Sequence, residues 1–293
     1  MPTLAQVTRL SLKNILFPTD FSPASKAALP FAVALARTYG STLLITHAIP
    51  PEPLLEVVTD RLPAQDERVR QDARYKLHEF THSQSLANTP VKAVLDQGDL
   101  EDVIPAIIEE QNIDLVVLGT HGRRGVSKLV LGSSAETIYR SATCPVLTIG
   151  PQVHDVADWK LHRILCPVDI AEDPEHLMHF ALSLAEENQS DLVILQAIPL
   201  VPWQQRPAVA ERCRCALHRL IPEQAQDWCT PEILIRWEYA VEAILQTAHE
   251  RESDLIIMSV HKSRVSALAA HLPWPVASEV VSRAACPVLT VRV

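Results

Sequence analysis

Short apolar runs alternate with longer amphipathic segments along the whole chain. In the first half this pattern predicts five strands, at 13–19, 42–49, 91–97, 114–119 and 144–149. Between them it predicts helices at 23–39, 65–86, 100–111 and 133–141. Ser22-Pro23 and Gly40 are typical of the two ends of the first helix. The alternation favours an α/β fold, a doubly wound parallel sheet with helices on both faces.

The same pattern occurs twice. Residues 13–50 and 162–199 align without a gap, 114–117 match 254–257, and 144–149 match 286–291. We therefore predict two domains, 1–150 and 161–293, joined by a linker at 151–160. Apolar edge strands are rarely left open, so we expect 144–149 and 286–291 to pair as a pseudo-symmetric dimer interface within one chain.

One loop of the first copy concentrates glycine and positive charge. All seven glycines lie in the first 150 residues, and one loop holds Gly119, Gly122, Gly125 and Gly132. The same loop carries the cations Arg123, Arg124 and Lys128, and no acidic residue. It follows an apolar strand and leads into a helix that Ser133 or Ser134 opens, an arrangement that suits phosphate binding. A sharp strand-to-helix turn is the simpler alternative, and the spacing is neither a Walker A motif nor GxGxxG.

These residues resemble the universal stress protein family, in a tandem form that covers nearly the whole chain. The most specific element is Gly119-x2-Gly122-x9-Gly132-Ser133, which fits the ATP-binding pattern of that family. Residues 15–20 look like its first strand, and residues 144–147 look like its closing strand. The resemblance implies, in each domain, a five-stranded parallel sheet in the order 3-2-1-4-5. That order would put Asp20 and the glycine loop beside one crevice, beyond the carboxyl ends of adjacent strands.

The resemblance also implies an ATP site in the first domain. Asp20 would bind ribose or adenine, the backbone at His47-Ala48 would contact the adenine edge, and Gly119 would lie against the ribose. The full implied set is Thr19, Asp20, His47, Ala48, Gly119, Gly122, Arg123, Gly132, Ser133 and Ser134. No protein metal ligand is implied, although Mg²⁺ could bridge the phosphates through nucleotide oxygens. Asp20 has an alternative role as a turn or helix-cap residue, and its repetition as Asp169 fits either role.

The second copy departs from the motif. Residues 259–275 contain no glycine, and Leu272-Pro273 replaces Gly132-Ser133. The leucine adds a bulky side chain where phosphate would bind, and the proline has no N–H to donate to it. Its net charge is −7, against −2 for residues 1–150. We expect a degenerate site there. The copy serves either as a structural partner or as a remodelled pocket for an apolar or amphipathic ligand, to which Trp203, Trp228, Trp237 and Trp274 would add aromatic surface.

Composition excludes several classes of protein. A net charge of −9 without a basic run argues against nucleic-acid binding. The apolar runs are too short to span a membrane and the N-terminus is no signal peptide, so we expect a cytoplasmic protein. Six cysteines form no disulfide framework, and Cys213-x-Cys215 with His218 would point to different helix faces rather than to one metal.

Three functions are compatible with the sequence. The first is an ATP-binding stress-response or regulatory protein that holds nucleotide without fast turnover. The second is a slow ATPase, for which Glu136 is the one carboxylate beside the loop; Ser133-x-x-Glu136 reads better as a capping box. The third is a small-ligand carrier that uses the second copy. A further homodimer of the tandem chain stays open.

Overall fold

The computed structural model describes residues 10–51, 63–120, 133–154, 159–172, 174–227, 229–260 and 274–292. In the first copy the strands and helices are β1 (Asn14–Pro18), α1 (Pro23–Tyr39), β2 (Thr42–Ile49), α2 (Pro63–Thr81), β3 (Val91–Gln97), α3 (Leu100–Glu110), β4 (Leu115–Gly119), α4 (Ser133–Ser141) and β5 (Val146–Ile149). In the second they are β6 (Arg163–Val168), α5 (Glu175–Asn188), β7 (Asp191–Ala197), α6 (Arg206–His218), β8 (Glu232–Arg236), α7 (Ala240–Glu250), β9 (Leu255–Val260), α8 (Trp274–Arg283) and β10 (Val288–Arg292).

The elements predicted for the first copy are present, and two of them, α2 and β5, differ from the prediction by more than one residue at an end. The predicted helix 65–86 is divided into α2 and a separate 3-10 turn, Gln84–Leu86, because Ser83 between them has an extended backbone. Strand β5 begins at Val146 rather than at residue 144, after Pro145, which has no N–H for the sheet. Helix α1 has the predicted caps: the Ser22 hydroxyl accepts the N–H of Ser25, and Gly40 is left-handed with a φ of 67°.

The ten strands of the described residues form one sheet in the order β3-β2-β1-β4-β5-β10-β9-β6-β7-β8. Each copy contributes five parallel strands in the order 3-2-1-4-5, so the predicted fold class is confirmed. A repeated aspartate ties strand one to strand four in each copy. Asp114 Oδ2 accepts the N–H groups of Lys13 and Asn14 at 2.7 and 2.9 Å. Asp254 Oδ2 accepts those of His162 and Arg163 at 2.9 and 2.8 Å.

The two copies meet through their last strands, as predicted. β5 and β10 pair antiparallel, with Leu147 opposite Leu289. On one face of the sheet, α1 and α5 also meet at equivalent positions, because Asn188 Nδ2 donates to Tyr39 Oη at 2.9 Å. Burial is the main cause that raises the pKa of Tyr39 to about 12, so this phenol stays protonated and can keep its contacts. The arrangement has the quasi-twofold symmetry of a dimer.

The core is distributed unequally over the two faces of the sheet. On the α1 and α5 face, one buried cluster runs through both copies and includes Phe31, Ile149, Ile164 and Leu289. On the opposite face, α3 and α4 cover one cluster and α7 and α8 cover another. Within the described ranges, no helix is both long and apolar enough to cross a membrane.

The junction between the copies is close-packed and asymmetric. A Cβ on Gly150, directly after β5, would lie 2.0 Å from the carbonyl oxygen of Val281 in α8. The equivalent residue of the second copy, Arg292, instead donates to the carbonyls of Tyr139, at 2.7 Å, and Arg140 at the end of α4. A cation at the C-terminal end of a helix stabilises the exposed carbonyls there.

The cysteines follow the expectation of isolated thiols. All six lie in the described residues and are free. Cys213 is buried and Cys215 is exposed, which places them on different faces of α6, as predicted. Among the described residues, no group of three or more His, Cys, Asp or Glu side chains is arranged to hold a metal ion.

The packing of Gly150 against α8 gives a first prediction. Gly150→Ala should lower the free energy of unfolding by about 1–3 kcal/mol, because the new methyl group overlaps a backbone carbonyl. It should also raise amide hydrogen exchange in β5 and β10. Gly40→Ala is the control: its Cβ meets no atom within 4 Å, so its cost of about 1–2 kcal/mol is conformational and local to the end of α1. If amide exchange in β5 and β10 of Gly150→Ala were unchanged, the packing of Gly150 against α8 would not stabilise the junction between the copies.

Candidate functional site at the carboxyl edge of the first copy

A cavity of about 610 Å³ lies at the carboxyl ends of the first-copy strands, on the face that α3 and α4 cover. Its volume is within the usual range for small-molecule sites. Residues in or just after the carboxyl-terminal parts of the strands line it, together with the starts of α3 and α4: Thr19, Asp20, Thr46, His47, Ala48, Gly98, Asp99, Leu100, Glu101, Asp102, Gly119, Ser134 and Ala135. It lies at the position where doubly wound sheets bind ligands.

Six residues of the predicted nucleotide set line this one cavity: Thr19, Asp20, His47, Ala48, Gly119 and Ser134. Gly122, Arg123 and Gly132 lie outside the described residues. Ser133 begins α4, and its side chain also lies outside the described part. The geometry therefore brings together the predicted residues that it describes, while their contacts with a ligand stay a prediction.

Hydrogen bonds between adjacent strands hold the turn after β1. The N–H of Thr19 donates to Thr46 O at 2.8 Å, and Nδ1 of His47 donates to Thr19 O at 2.8 Å. The Thr19 hydroxyl lies 3.0 Å from the hydroxyl of Ser25 and accepts the N–H of Phe21, which has a left-handed φ of 62°. The His47 side chain thus positions the turn, a role beyond the backbone contact predicted for it.

Asp20 is a turn residue in this structure. Its Oδ1 accepts the N–H of Ser22 at 3.0 Å, and in the second copy Oδ1 of Asp169 accepts the N–H of Ala171 at 2.9 Å. The structural alternative for this repeated aspartate is therefore present in both copies. Because a carboxylate can accept several hydrogen bonds, the turn is compatible with a ligand contact at Asp20.

Gly119 has a packing role that its motif did not reveal. A Cβ at this position would lie 2.2 Å from the carbonyl oxygen of Ala24 and 3.3 Å from the Cβ of Ala28. The glycine lets the first turns of α1 approach the end of β4. In the second copy Ser259 takes the equivalent position, and α5 begins at Glu175, three residues later in the repeat than α1. In the first copy, this close approach lies beside the cavity, because Gly119 also lines it.

The comparison with known families agrees with this architecture. The universal stress protein family model matches residues 11–150 and again residues 160–292. The chain belongs to the universal stress protein family. Universal stress protein A homolog 1 of Coxiella burnetii is 31% identical over 140 residues, 47% of this chain and 95% of that protein. The universal stress protein in QAH/OAS sulfhydrylase 3'region of Thermus aquaticus is 34% identical over 145 residues, 47% and 98% of the two chains.

Solved structures of similar length share the tandem fold. A universal stress protein from Archaeoglobus fulgidus DSM 4304 superposes with a TM-score of 0.71 at 16% identity, over 95% of this chain and 98% of that one. A functionally unknown protein from Pseudomonas aeruginosa PAO1 has a TM-score of 0.62 at 19% identity, over 97% and 93%. At these identities the likeness concerns the fold alone.

Sequence reasoning missed three carboxylates of this family member's cavity, those of Asp99, Glu101 and Asp102. They follow β3, whose carboxyl end lies beside that of β2. The order 3-2-1-4-5 together with the predicted end of strand three at residue 97 was the signal that could have located them. Asp99 directly precedes α3, and the other two lie in its first turn, where the helix dipole favours negative charge.

Glu136, the carboxylate identified beside the loop, has a structural partner. Its Oε1 accepts a hydrogen bond from Arg140 Nη2 at 2.8 Å, one turn further along α4. Its predicted capping-box partner is Ser133, whose side chain lies outside the described residues. Glu136 therefore serves as an ion-pair residue of α4 in the structure.

The second copy lacks three of the hydroxyl groups that line the first cavity. The repeat aligns Thr19, Ser25 and Thr46 with Val168, Pro174 and Leu195. Gly98, two residues before α3, corresponds to Glu238, two residues before α7. Side chains that can bond a polar ligand are thus replaced by apolar ones, and a carboxylate is added.

Gly119 supplies a prediction with an internal control. Gly119→Ala should lower the free energy of unfolding by about 1–3 kcal/mol and raise amide exchange in the first turn of α1, because the methyl group displaces that turn from β4. Ser259→Ala, at the equivalent position of the second copy, should stay within about 0.5 kcal/mol of the parent. Wild-type stability of Gly119→Ala, measured by chemical denaturation, would show that the helix does not need to approach the strand this closely.

Proposed function

We propose that this universal stress protein binds one ATP molecule per chain in the first copy and acts as a nucleotide-dependent regulatory protein of the stress response. The observation that carries the proposal is the cavity that gathers Thr19, Asp20, His47, Ala48, Gly119 and Ser134. In the sequence, the glycine motif of the family's ATP-binding pattern connects the last two of these residues.

The charges of the site favour one orientation for ATP. The carboxylates of the cavity's α3 wall, Asp99, Glu101 and Asp102, lie on the β3 side of the sheet. In the sequence, the cations Arg123, Arg124 and Lys128 lie between Gly119, which ends β4, and Ser134, in the first turn of α4. Phosphates would therefore bind toward the start of α4, whose first N–H groups suit an anion, and the uncharged base would lie deeper along β2.

Three differences support a single site per chain. The second copy lacks the motif glycines, its counterparts of Thr19, Ser25 and Thr46 are apolar, and Glu238 stands where Gly98 lines the first cavity. The first change adds bulk, the second removes hydroxyl groups that can bond a polar ligand, and the third adds a negative charge that opposes phosphate. The antiparallel pairing of β5 and β10 supports a second part of the proposal, in which the second copy replaces the partner subunit of a dimer. A further homodimer would have to use other surfaces.

A slow ATPase is the nearest alternative. Bound ATP would supply a reactive γ-phosphoryl group, and Mg²⁺ bound to its oxygens would neutralise its charge. The motif groups hold ground-state and transition-state phosphate alike, so they favour affinity over turnover. The cavity's additional carboxylates lie on the β3 side, away from the proposed phosphate position, and Glu136 is ion-paired with Arg140. We therefore propose retention of ATP rather than rapid hydrolysis.

The second copy offers a second candidate function, binding of an amphipathic small ligand. Exposed apolar side chains follow its strands: Ile170 after β6, Leu200 and Trp203 after β7, and Tyr239 after β8. Arg206 stacks over the ring of Trp237, 5.3 Å from its centroid. Such a surface suits an apolar ligand better than a polyphosphate.

Calorimetric titration tests the binding proposal. ATP should bind the full chain with a stoichiometry near one, and Gly132→Val should abolish binding by blocking the backbone approach. Leu272→Val, the equivalent position of the second copy, should bind like the parent. Asp20→Ala should weaken binding by about 1–3 kcal/mol if a charged acceptor is lost. Two equivalent sites per chain would contradict the proposal.

Phosphate release tests the retention of ATP. With ATP and Mg²⁺ the purified protein should release phosphate slowly or not at all, because nothing proposed for the site binds the transition state preferentially. A turnover of several per second that survives removal of contaminants and is lost in Gly132→Val would establish the ATPase instead.

A further inference from the structure

One polar side chain in the wall of the first cavity lacks the partner that buried polar groups normally have. Thr46, near the end of β2, lines the cavity and is only 1% exposed. Its hydroxyl oxygen makes no hydrogen bond with any described residue. Thr19 and Ser25, also in this wall, bond each other at 3.0 Å. Buried hydroxyls without a partner are rare in folded proteins and destabilise them.

The fold itself does not require a hydroxyl at this position. In the first copy Thr46 lies opposite Pro18, and in the second copy Leu195 lies opposite Pro167 in the same parallel register. Leu195 is fully buried in the core under α7 and α8. An apolar side chain therefore fits this position of the strand, and the hydroxyl occurs in the first copy, where it lines the described cavity.

The surroundings of Thr46 indicate which part of a ligand would reach it. Side chains alternate along a strand, so Thr46 shares a face of the sheet with Leu44. That face carries the apolar cluster with Leu118, Ile104 and Ile138, and the last three residues also line the cavity. An apolar face around one unpartnered hydroxyl fits a flat aromatic ring with polar edge atoms and does not fit a phosphate.

We infer that the Thr46 hydroxyl is a specificity residue of the site and forms a hydrogen bond with a polar edge atom of the bound nucleobase. The inference rests on the proposed function, since it assigns the base to the inner wall of the same cavity. A hydroxyl both donates and accepts, so it can pair with a ring nitrogen or with an exocyclic amino group. The ligand thereby satisfies a group that the free protein leaves unpaired.

Thr46→Val and Thr46→Ser separate binding from structure. Valine keeps the shape of threonine and removes the hydroxyl, so the ligand-free variant should unfold at the same or a higher temperature than the parent. Its affinity for ATP should fall roughly five- to tenfold, the effect of one hydrogen bond. Thr46→Ser retains the hydroxyl and should bind ATP within about threefold of the parent.

Thr148→Val is the matched control. Thr148 in β5 is fully buried and its hydroxyl also lacks a partner among the described residues, but it does not line the cavity. Its replacement should affect thermal unfolding in the same direction as Thr46→Val and leave the affinity for ATP unchanged. A loss of affinity in both variants would mean that the effect is structural and would overturn the inference.

Adenosine distinguishes contact with the base from contact with the phosphates. If Thr46 contacts the base, Thr46→Val should weaken adenosine and ATP by the same factor. A loss confined to ATP, or equal binding of both ligands by Thr46→Val and the parent, overturns the inference and leaves the proposed function intact. Absence of ATP binding by the parent protein would defeat the proposed function itself, and the inference with it.

Discussion

The antiparallel pairing of β5 with β10 is the contact on which the architecture depends. Each copy ends in an apolar edge strand with unpaired backbone groups on one side, and the two edges satisfy each other. The result is one sheet of ten strands and one core that continues through both copies on the α1 and α5 face. Because the junction is antiparallel, the carboxyl edges of the two copies face opposite ways. A ligand at the first cavity is thereby kept apart from the equivalent edge of the second copy.

Contacts that maintain the fold are repeated, whereas several side chains that line the first cavity are not. Asp114 and Asp254 accept hydrogen bonds from equivalent pairs of N–H groups, and Asp20 and Asp169 form equivalent turns. Thr46 in β2 differs instead from its equivalent in β7, which is Leu195. An apolar side chain in that place fills the core at no cost to hydrogen bonding, so the second copy can lose its polar wall and still fold.

Close packing of helices on the sheet depends on glycine at two positions of this protein. Gly119 and Gly150 both lie where a methyl group would overlap a carbonyl oxygen, one beneath α1 and the other at the junction with α8. Neither position has a left-handed backbone, so space rather than conformation selects glycine there. Gly119 belongs to the glycine motif, so part of that motif is explained by the close packing of a helix on a strand.

The local pattern of the chain determined most of its elements. Periodicity and caps located α1 from Pro23 to Tyr39, and the internal repeat located the two end strands that pair, because hydrophobic spacing and capping are properties of neighbouring residues. The glycine motif and its resemblance to a family indicated six residues that line one cavity. Contacts between residues distant in the chain were decided by the tertiary structure alone. They include the carboxylates after β3, the approach of Ala24 to Gly119, the bond from His47 to Thr19, and the buried hydroxyl of Thr46. Each of these contacts depends on which strands are neighbours and on the distance between a helix and the sheet. The pattern of residues along the chain does not determine either of these.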